Sequence, residues 1–336
     1  MQKDNINYRL SCLKKYGNTS LSHLTLSNSL STFYGNWEGY IAYNIIFKCA
    51  IVLGDPIVPA DKLEQALGDL KKWAKSKKLM VIITCPQNGY KSFEKQGFKR
   101  ICWGYEAVID LNKFNIKGPK KSNIRNSINH AIRNNLIVEE YEFISNRDTY
   151  IEKEIKRVSN EWCKAKKINE LTFLTGKADF ENNYGTRYFI CKYKNKIVGF
   201  LKYAPIFGIN NYYLELGRRG INSPRGTIDY LLVKSFEKFS KEGIKQINFG
   251  PLPYSLLSSD ITRYSHLSQK LYVLLRPVFE LVYPVKSQYF IKNRYATSWE
   301  PSYIYYYPRL NIRMLLSLVH YVYPGGFASI LIEKIK

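Results

Sequence analysis

The sequence predicts an α+β fold of two successive units, each a mixed, mostly antiparallel sheet flanked by helices. Three observations predict it. A chain of 336 residues is longer than one compact unit usually needs. Its hydrophobic fraction of 45% suffices for buried cores. Short β-rich runs alternate with helical periodicities, in the same order in both halves.

In the first half, Gly39 to Leu53 carries apolar, β-branched and aromatic residues around a turn and stops at Gly54-Asp55-Pro56. Ala60 to Lys77 has helical spacing, with Leu63, Leu67, Leu70 and Ala74 on one face and lysines on the other. Leu79 to Thr84 is long enough for one buried strand. A short helix through Phe93 and Glu94 ends at Gly97, a C′ glycine, and Lys99 to Leu111 returns as a strand. In the second half, Arg187 to Tyr193 and Ile197 to Pro205 are strands joined by Lys194-Asn195-Lys196, and Tyr212 to Arg218 is a third. Thr227 to Lys241 is an amphipathic helix buried through Ile228, Leu231, Leu232, Ser235 and Phe239, and Ile244 to Phe249 is the next strand.

Between the halves, Pro119 to Asn135 reads as a basic helix. Lys121, Arg125, Asn129 and Arg133 recur every four residues on one face. That face is either a solvated linker surface or a phosphate-gripping one, with Lys120, Lys121, Arg125 and Arg133 as the candidate phosphate contacts. The units are expected at 1–117 and 146–310, with the basic helix and linker at 118–145 and an amphipathic tail at 311–336. The tail packs on the body or lies at a membrane interface.

Composition narrows the function. Lys plus Arg number 51 against 27 Asp plus Glu, a formal net charge of +24 that suits nucleic acid or an anionic membrane as partner. A Lys-rich genome accounts for the same number. The six cysteines are scattered without a CxxC pair, so neither a zinc site nor a disulfide framework is expected. No stretch supplies the ~20 uninterrupted apolar residues of a membrane span. The expected location is the cytoplasm, with a peripheral contact at the inner face of the membrane left open. No GxSxG, HExxH, GxxxxGK[ST] or GxGxxG occurs, which removes the common hydrolase, metalloprotease, P-loop and dinucleotide classes.

Meander, helix and further strand form the core order of the GCN5-related acetyltransferase (GNAT) fold, and Phe93 to Phe98 resembles its helix-to-strand signature. Enzymes of that fold cradle a coenzyme pyrophosphate on glycine-rich backbone N–H groups. Here the equivalent loop is Ile221 to Thr227, where Pro224 has no N–H and Gly226 is the one glycine. Acetyl-CoA is disfavoured as donor, and no cofactor is expected.

Arg218-Arg219 followed by Pro224-Arg225-Gly226-Thr227-Ile228-Asp229-Tyr230-Leu231 resembles the "MR…P-x-G-T-M-D-x-L" segment of the phosphatidylglycerol lysyltransferase C-terminal domain (DUF2156). Asn248 to Pro253 resembles its "N-L-G-x-A-P-L" strand end. Lys292 to Tyr303 is similar to its "K-x-K-F-x-P-x-W-E-x-x-Y" signature. Leu53 to Pro56, Gly104 to Leu111 and Ser122 to His130 fit three more of its patterns, in register along nearly the whole chain. The chain departs at Glu215, where Asp is usual, and at Gly217, Arg294 and Thr297.

The resemblance implies tandem GNAT-like domains that take an aminoacyl ester from tRNA and pass it to a lipid hydroxyl. The expected partners are therefore an aminoacyl-tRNA and an anionic phospholipid, with a small-molecule acceptor as the alternative. Members acting on phosphatidylglycerol usually carry a flippase domain, and a stand-alone form without it is expected here. A non-catalytic basic protein binding RNA or membrane is the other class. Asp229 and Glu215 are the candidate grips on an amino acid's ammonium group, with Arg218 completing the catalytic set. The inferred substrate-binding residues are Arg219, Thr227, Asn248, Lys292, Arg294, Trp299, Glu300 and Tyr303. Arg218, Arg219, Lys292 and Arg294 suit phosphates. If the backbone alternates, only one of Arg218 and Arg219 points inward. Asp229 alternatively stabilises a helix N-terminus, and Trp299 and Tyr303 are core or a shelf for a base. No residue stands out as a general base.

Overall fold

A computed structural model describes residues 5–84, 90–166, 176–181, 184–255, 267–274 and 285–322. Its strands are β1 (Ser31–Phe33), β2 (Ile41–Ile46), β3 (Cys49–Leu53), β4 (Met80–Thr84), β5 (Lys99–Asp110), β6 (Ile137–Tyr141), β7 (Arg187–Tyr193), β8 (Lys196–Ile206), β9 (Asn211–Arg219), β10 (Gln246–Pro253) and β11 (Ser298–Tyr307). The helices are α1 (Ile6–Tyr16), α2 (Leu63–Ser76), α3 (Tyr90–Lys95), α4 (Ser122–Arg133), α5 (Thr149–Lys166), α6 (Thr227–Lys241), α7 (Leu267–Leu274), α8 (Val285–Asn293) and α9 (Ile312–Val322).

All these strands join one sheet in the order β1-β2-β3-β4-β11-β5-β10-β9-β8-β7-β6. The β3–β4 and β9–β10 pairs are parallel; the other neighbours are antiparallel. The expected fold class, α+β with a mixed, mostly antiparallel sheet flanked by helices, is the one adopted. β11 comes from the sequence assigned to the second unit, yet it lies between β4 and β5 of the first. The sheet therefore runs unbroken across both halves.

The apolar faces decide the layering. Leu63, Ala66, Leu67, Leu70 and Ala74 of α2 pack with Val52, Val81 and Ile83 of β3 and β4. Leu231, Leu232, Phe236 and Phe239 of α6 pack with Phe189, Leu201, Tyr203 and Ile247, and Ile124, Ile128 and Ala131 of α4 join the same cluster. α5 covers the opposite face of the second half, where Ile155 and Val158 meet Tyr188, Phe200 and Leu216. Gly226, which caps α6, has φ +90°, and a Cβ there would lie 2.0 Å from the Ser127 carbonyl oxygen of α4. Only glycine permits that approach. Among the described residues no helix is long and apolar enough to cross a membrane.

Candidate active site

β9 and β10 pair only at Ile247 with Tyr212 and at Asn248 with Tyr213. Beyond those residues they run on to Arg219 and Pro253 without further pairing to each other. β10 also bulges against β5 between Asn248 and Pro251. Gly250 turns there at φ +71°, with the Tyr213 ring 2.6 Å from where a Cβ would sit. Divergence plus bulge opens a cleft and releases backbone groups from the ladder.

Lys292, at the end of α8, uses that release. Its Nζ donates to the carbonyls of Phe249 at 2.7 Å and Gly250 at 3.0 Å. Dense surroundings pull the amine down to about 8, against the opposing attraction of Glu106. Glu106, on β5, is 1% exposed; it accepts from Ser20 Oγ at 2.6 Å and from Asn248 Nδ2 at 2.8 Å. Burial raises its carboxyl above the usual range, offset by those two bonds and by Lys292. Asn248 Oδ1 in turn accepts from the Gly250 N–H at 2.6 Å, so one side chain fixes both the bulge and Glu106.

On the β9 side, Glu215 Oε1 pairs with Lys202 Nζ of β8 at 2.9 Å, the side chains being 1% and 7% exposed. Lys202 also donates to the Lys177 carbonyl at 2.8 Å. Gly176 covers the pair so closely that a Cβ would sit 1.6 Å from Glu215 Oε1. Glu215 Oε2 is buried with no hydrogen-bond partner among the described residues. A buried carboxylate oxygen in that condition costs free energy until a donor reaches it. His23 lies within electrostatic range; burial keeps its imidazole neutral, with its pKa lowered to about 4, and its Nε2 sits 3.2 Å from the Tyr184 carbonyl. Ser20 and His23 thus bring one N-terminal segment to both Glu106 and Glu215.

The sequence candidates divide between the two faces of the sheet. Asn248 and Lys292 meet at the β10 bulge, Glu215 pairs with Lys202 on the β9 side of the cleft, and Arg218 packs against α5. Arg218 is 4% exposed, meets Ser159 Oγ and lies 5.1 Å from the Trp162 ring, while Arg219 is exposed beside Ser223. Alternation had allowed one of them inward, and Arg218 is that one. Asp229 sits on the opposite face, in the first turn of α6, where it accepts from Arg294 Nη2 at 2.8 Å and from the Tyr295 hydroxyl. Thr227 Oγ1 closes the turn onto the Pro224 carbonyl at 2.7 Å.

The remaining candidates are also placed. Trp299 stacks on Tyr289 at 5.1 Å and donates to Asn293. Tyr303 lies 4.5 Å from the Arg100 guanidinium, and Glu300 is exposed on β11 opposite Glu106. Lys121 Nζ donates to the Arg294 carbonyl and Arg125 to the Ile116 and Gly118 carbonyls, whereas Lys120 and Arg133 are exposed.

Residues 11–306 match the family model described as phosphatidylglycerol lysyltransferase, C-terminal. The chain belongs to this family. A phosphatidylglycerol lysyltransferase of Bacillus subtilis strain 168 is 26% identical over 316 residues, 91% of this chain and 36% of the relative. One from Staphylococcus epidermidis strain ATCC 35984 is 26% identical over 302 residues, 88% of this chain and 35% of its own length. The chain therefore spans about a third of these curated relatives. The L-PGS structure from Bacillus licheniformis superposes with a TM-score of 0.78 at 21% identity, covering 99% of this chain and 97% of that one. FemX shares the fold at a TM-score of 0.58 and 11% identity, with 94% and 98% covered.

Within this lysyltransferase C-terminal family framework, sequence reasoning missed Lys202, Glu106, Ser20 and His23 as neighbours of the cleft. Two carried a signal. Lys202 is a charge inside the apolar run Gly199 to Ala204, and Glu106 is the one charge in the stretch Ile101 to Ile109. A charge in such a strand must be paired or functional. Among the described residues no cluster of His, Cys, Asp and Glu could hold a metal ion.

Proposed function

We propose that this chain transfers an aminoacyl group from a charged tRNA to a hydroxyl of phosphatidylglycerol. One observation carries the reading: a buried carboxylate oxygen with no hydrogen-bond partner among the described residues, Glu215 Oε2, and an amine tuned to about 8, Lys292, belong to the same strand divergence. The relatives' names supply the lipid and the class of reaction.

In this reading, Glu215 receives the ammonium group of the donor amino acid, for which a desolvated carboxylate is the natural partner. Neutral Lys292 keeps a lone pair while its two N–H groups hold the Phe249 and Gly250 carbonyls. It takes the proton of the lipid hydroxyl as that oxygen attacks the ester carbonyl. The new carbon–oxygen bond forms, the ribose–ester bond breaks, and Lys292 returns the proton to the departing ribose oxygen. An amine with a pKa near the working pH serves both steps. Glu106 and Asn248 position the bulge and bias the charge of Lys292. Arg218 offers a fixed cation to a phosphate.

The test supplies radiolabelled aminoacyl-tRNA to the protein with phosphatidylglycerol vesicles. Label is expected to move into the chloroform-extractable lipid. Label that stays on tRNA defeats the proposal, and label released into a water-soluble ester or amide redirects it to a small-molecule acceptor.

A further inference from the structure

The segment between β5 and α4 makes a second concave feature. Lys113, Phe114, Asn115, Lys117, Lys120 and Lys121, with Ala296 and Thr297, line a cavity of about 380 Å³. That is within the roughly 300–1,000 Å³ of sites that take small ligands or single groups of larger ones. The walls are built rather than loose. Phe114 N–H donates to the Asp110 carbonyl at 2.8 Å and Lys117 N–H to Asn115 Oδ1 at 3.0 Å. Arg125 Nη1 holds the Ile116 and Gly118 carbonyls, each at 2.6 Å. Phe114 packs edge-on to Phe236 at 5.1 Å and parallel to Tyr295 at 6.3 Å.

Two cations of the basic helix are therefore occupied inside the wall, and others face the opening. Lys113 has Asp110 at 3.4 Å, but Lys117 and Lys120 are exposed and meet no carboxylate among the described residues. The first turn of α4 has no acidic residue to offset them.

We propose that this cavity is a docking subsite for the phosphodiester backbone of the donor RNA, with Lys117 and Lys120 on phosphates and Phe114 as an apolar floor for a base. The inference rests on the donor assignment made above. RNA is favoured over a membrane because the feature is concave and no large apolar side chain between 113 and 121 is exposed, whereas interfacial binding needs such anchors. Exposed apolar side chains lie elsewhere, at Phe47, Ile312 and Leu316. One short stretch joins subsite and cleft: Ala296 and Thr297 line the cavity, Arg294 holds Asp229, and Lys292 enters the bulge.

The experiment compares the full chain with a Lys117→Glu/Lys120→Glu variant, measuring equilibrium binding of deacylated tRNA across a salt series. Both lysines are exposed, so the variant is expected to melt with the wild type. The subsite predicts tRNA binding about ten-fold weaker at moderate salt, with a salt slope shallower by about one to two. It also predicts unchanged sedimentation with phosphatidylglycerol vesicles. Equal tRNA affinity and slope in both proteins overturns the subsite while leaving the donor assignment standing. Loss of vesicle binding alone, or displacement of tRNA by inorganic phosphate but not by sulfate at matched ionic strength, also overturns it. Absence of tRNA binding and of aminoacyl-tRNA consumption by the wild type overturns both.

Discussion

Glu215 and Asp229 stand on either side of the loop that leads from β9 into α6, and their surroundings differ. Asp229 lies on the face that α6 covers, partly exposed, with Arg294 and the Tyr295 hydroxyl on one of its oxygens. Glu215 lies on the cleft face, 1% exposed as a side chain, with Lys202 on one oxygen and no described partner on the other. Both acids are close in sequence to the same cation-rich loop. What separates them is how much hydrogen-bonding capacity the fold leaves unused. In the proposed reading, the acid already engaged by Arg and Tyr is structural, and the buried one with no described partner on one oxygen is the one that meets the ligand.

The largest effect that can break this comparison lies at the cleft amine. Lys292→Met is expected to lower single-turnover transfer by about 10²- to 10⁴-fold, the range of general-base loss. The wild-type rate should rise with pH through about 8 and then level, because the neutral amine is the working form. The variant should lose that limb. A wild-type rate that falls above this pH would assign the work to the ammonium instead.

Next comes Glu215→Gln, with a loss of about 100-fold in kcat/KM. The change strands the Lys202 charge, so about 3–5 kcal/mol of stability should go with it in denaturant titrations. The double variant with Lys202→Met should regain stability and stay inactive. Recovery of activity along with stability would make the ion pair structural.

Asp229→Asn should cost about 1–2 kcal/mol in the same titrations and less than about ten-fold in transfer, since the amide oxygen still accepts from Arg294 and Tyr295. The last effect is the pH dependence of stability at Lys292. Its folded pKa of about 8 lies below the ordinary lysine value of 10.5, so between these two the unfolded chain binds more protons. Its contribution to stability is therefore full above the upper value and is lost as pH falls through the lower one. The wild type should gain stability over that window relative to Lys292→Met, measured by denaturation midpoints, and a flat difference would remove the buried-amine assignment.

Much of the fold was legible locally. The periodicity of Leu63, Leu67, Leu70 and Ala74, and of Leu231, Leu232 and Phe239, marks helices whose buried faces the structure reproduces. The strand runs ending at Leu53, Thr84 and Tyr193 end there in the sheet. The position of β11 was not legible. Insertion between β4 and β5 is a pairing across some 200 residues, and nothing local in Trp299 to Tyr307 announces a partner. α5 was missed because its buried set, Glu152, Ile155, Val158 and Ser159, is half polar and blurs the apolar stripe.

The site was legible where backbone alternation governs: only one of Arg218 and Arg219 could point inward, and the structure shows that it is Arg218. It was not where irregularity does. β8 and β9 shift register between Lys202 and Tyr203, and that shift decides which face receives Glu215. Ser20 and His23 come from a segment with no motif, and only the tertiary fold carries them to the cleft.

The most direct test measures single-turnover transfer by Glu215→Gln and Asp229→Asn side by side on one charged tRNA with phosphatidylglycerol vesicles, each rate taken on protein shown folded by its melt. The account predicts a loss at Glu215 at least about ten-fold deeper than at Asp229. Equal losses, or a deeper one at Asp229, would place the amino acid on the other face of the sheet and contradict it.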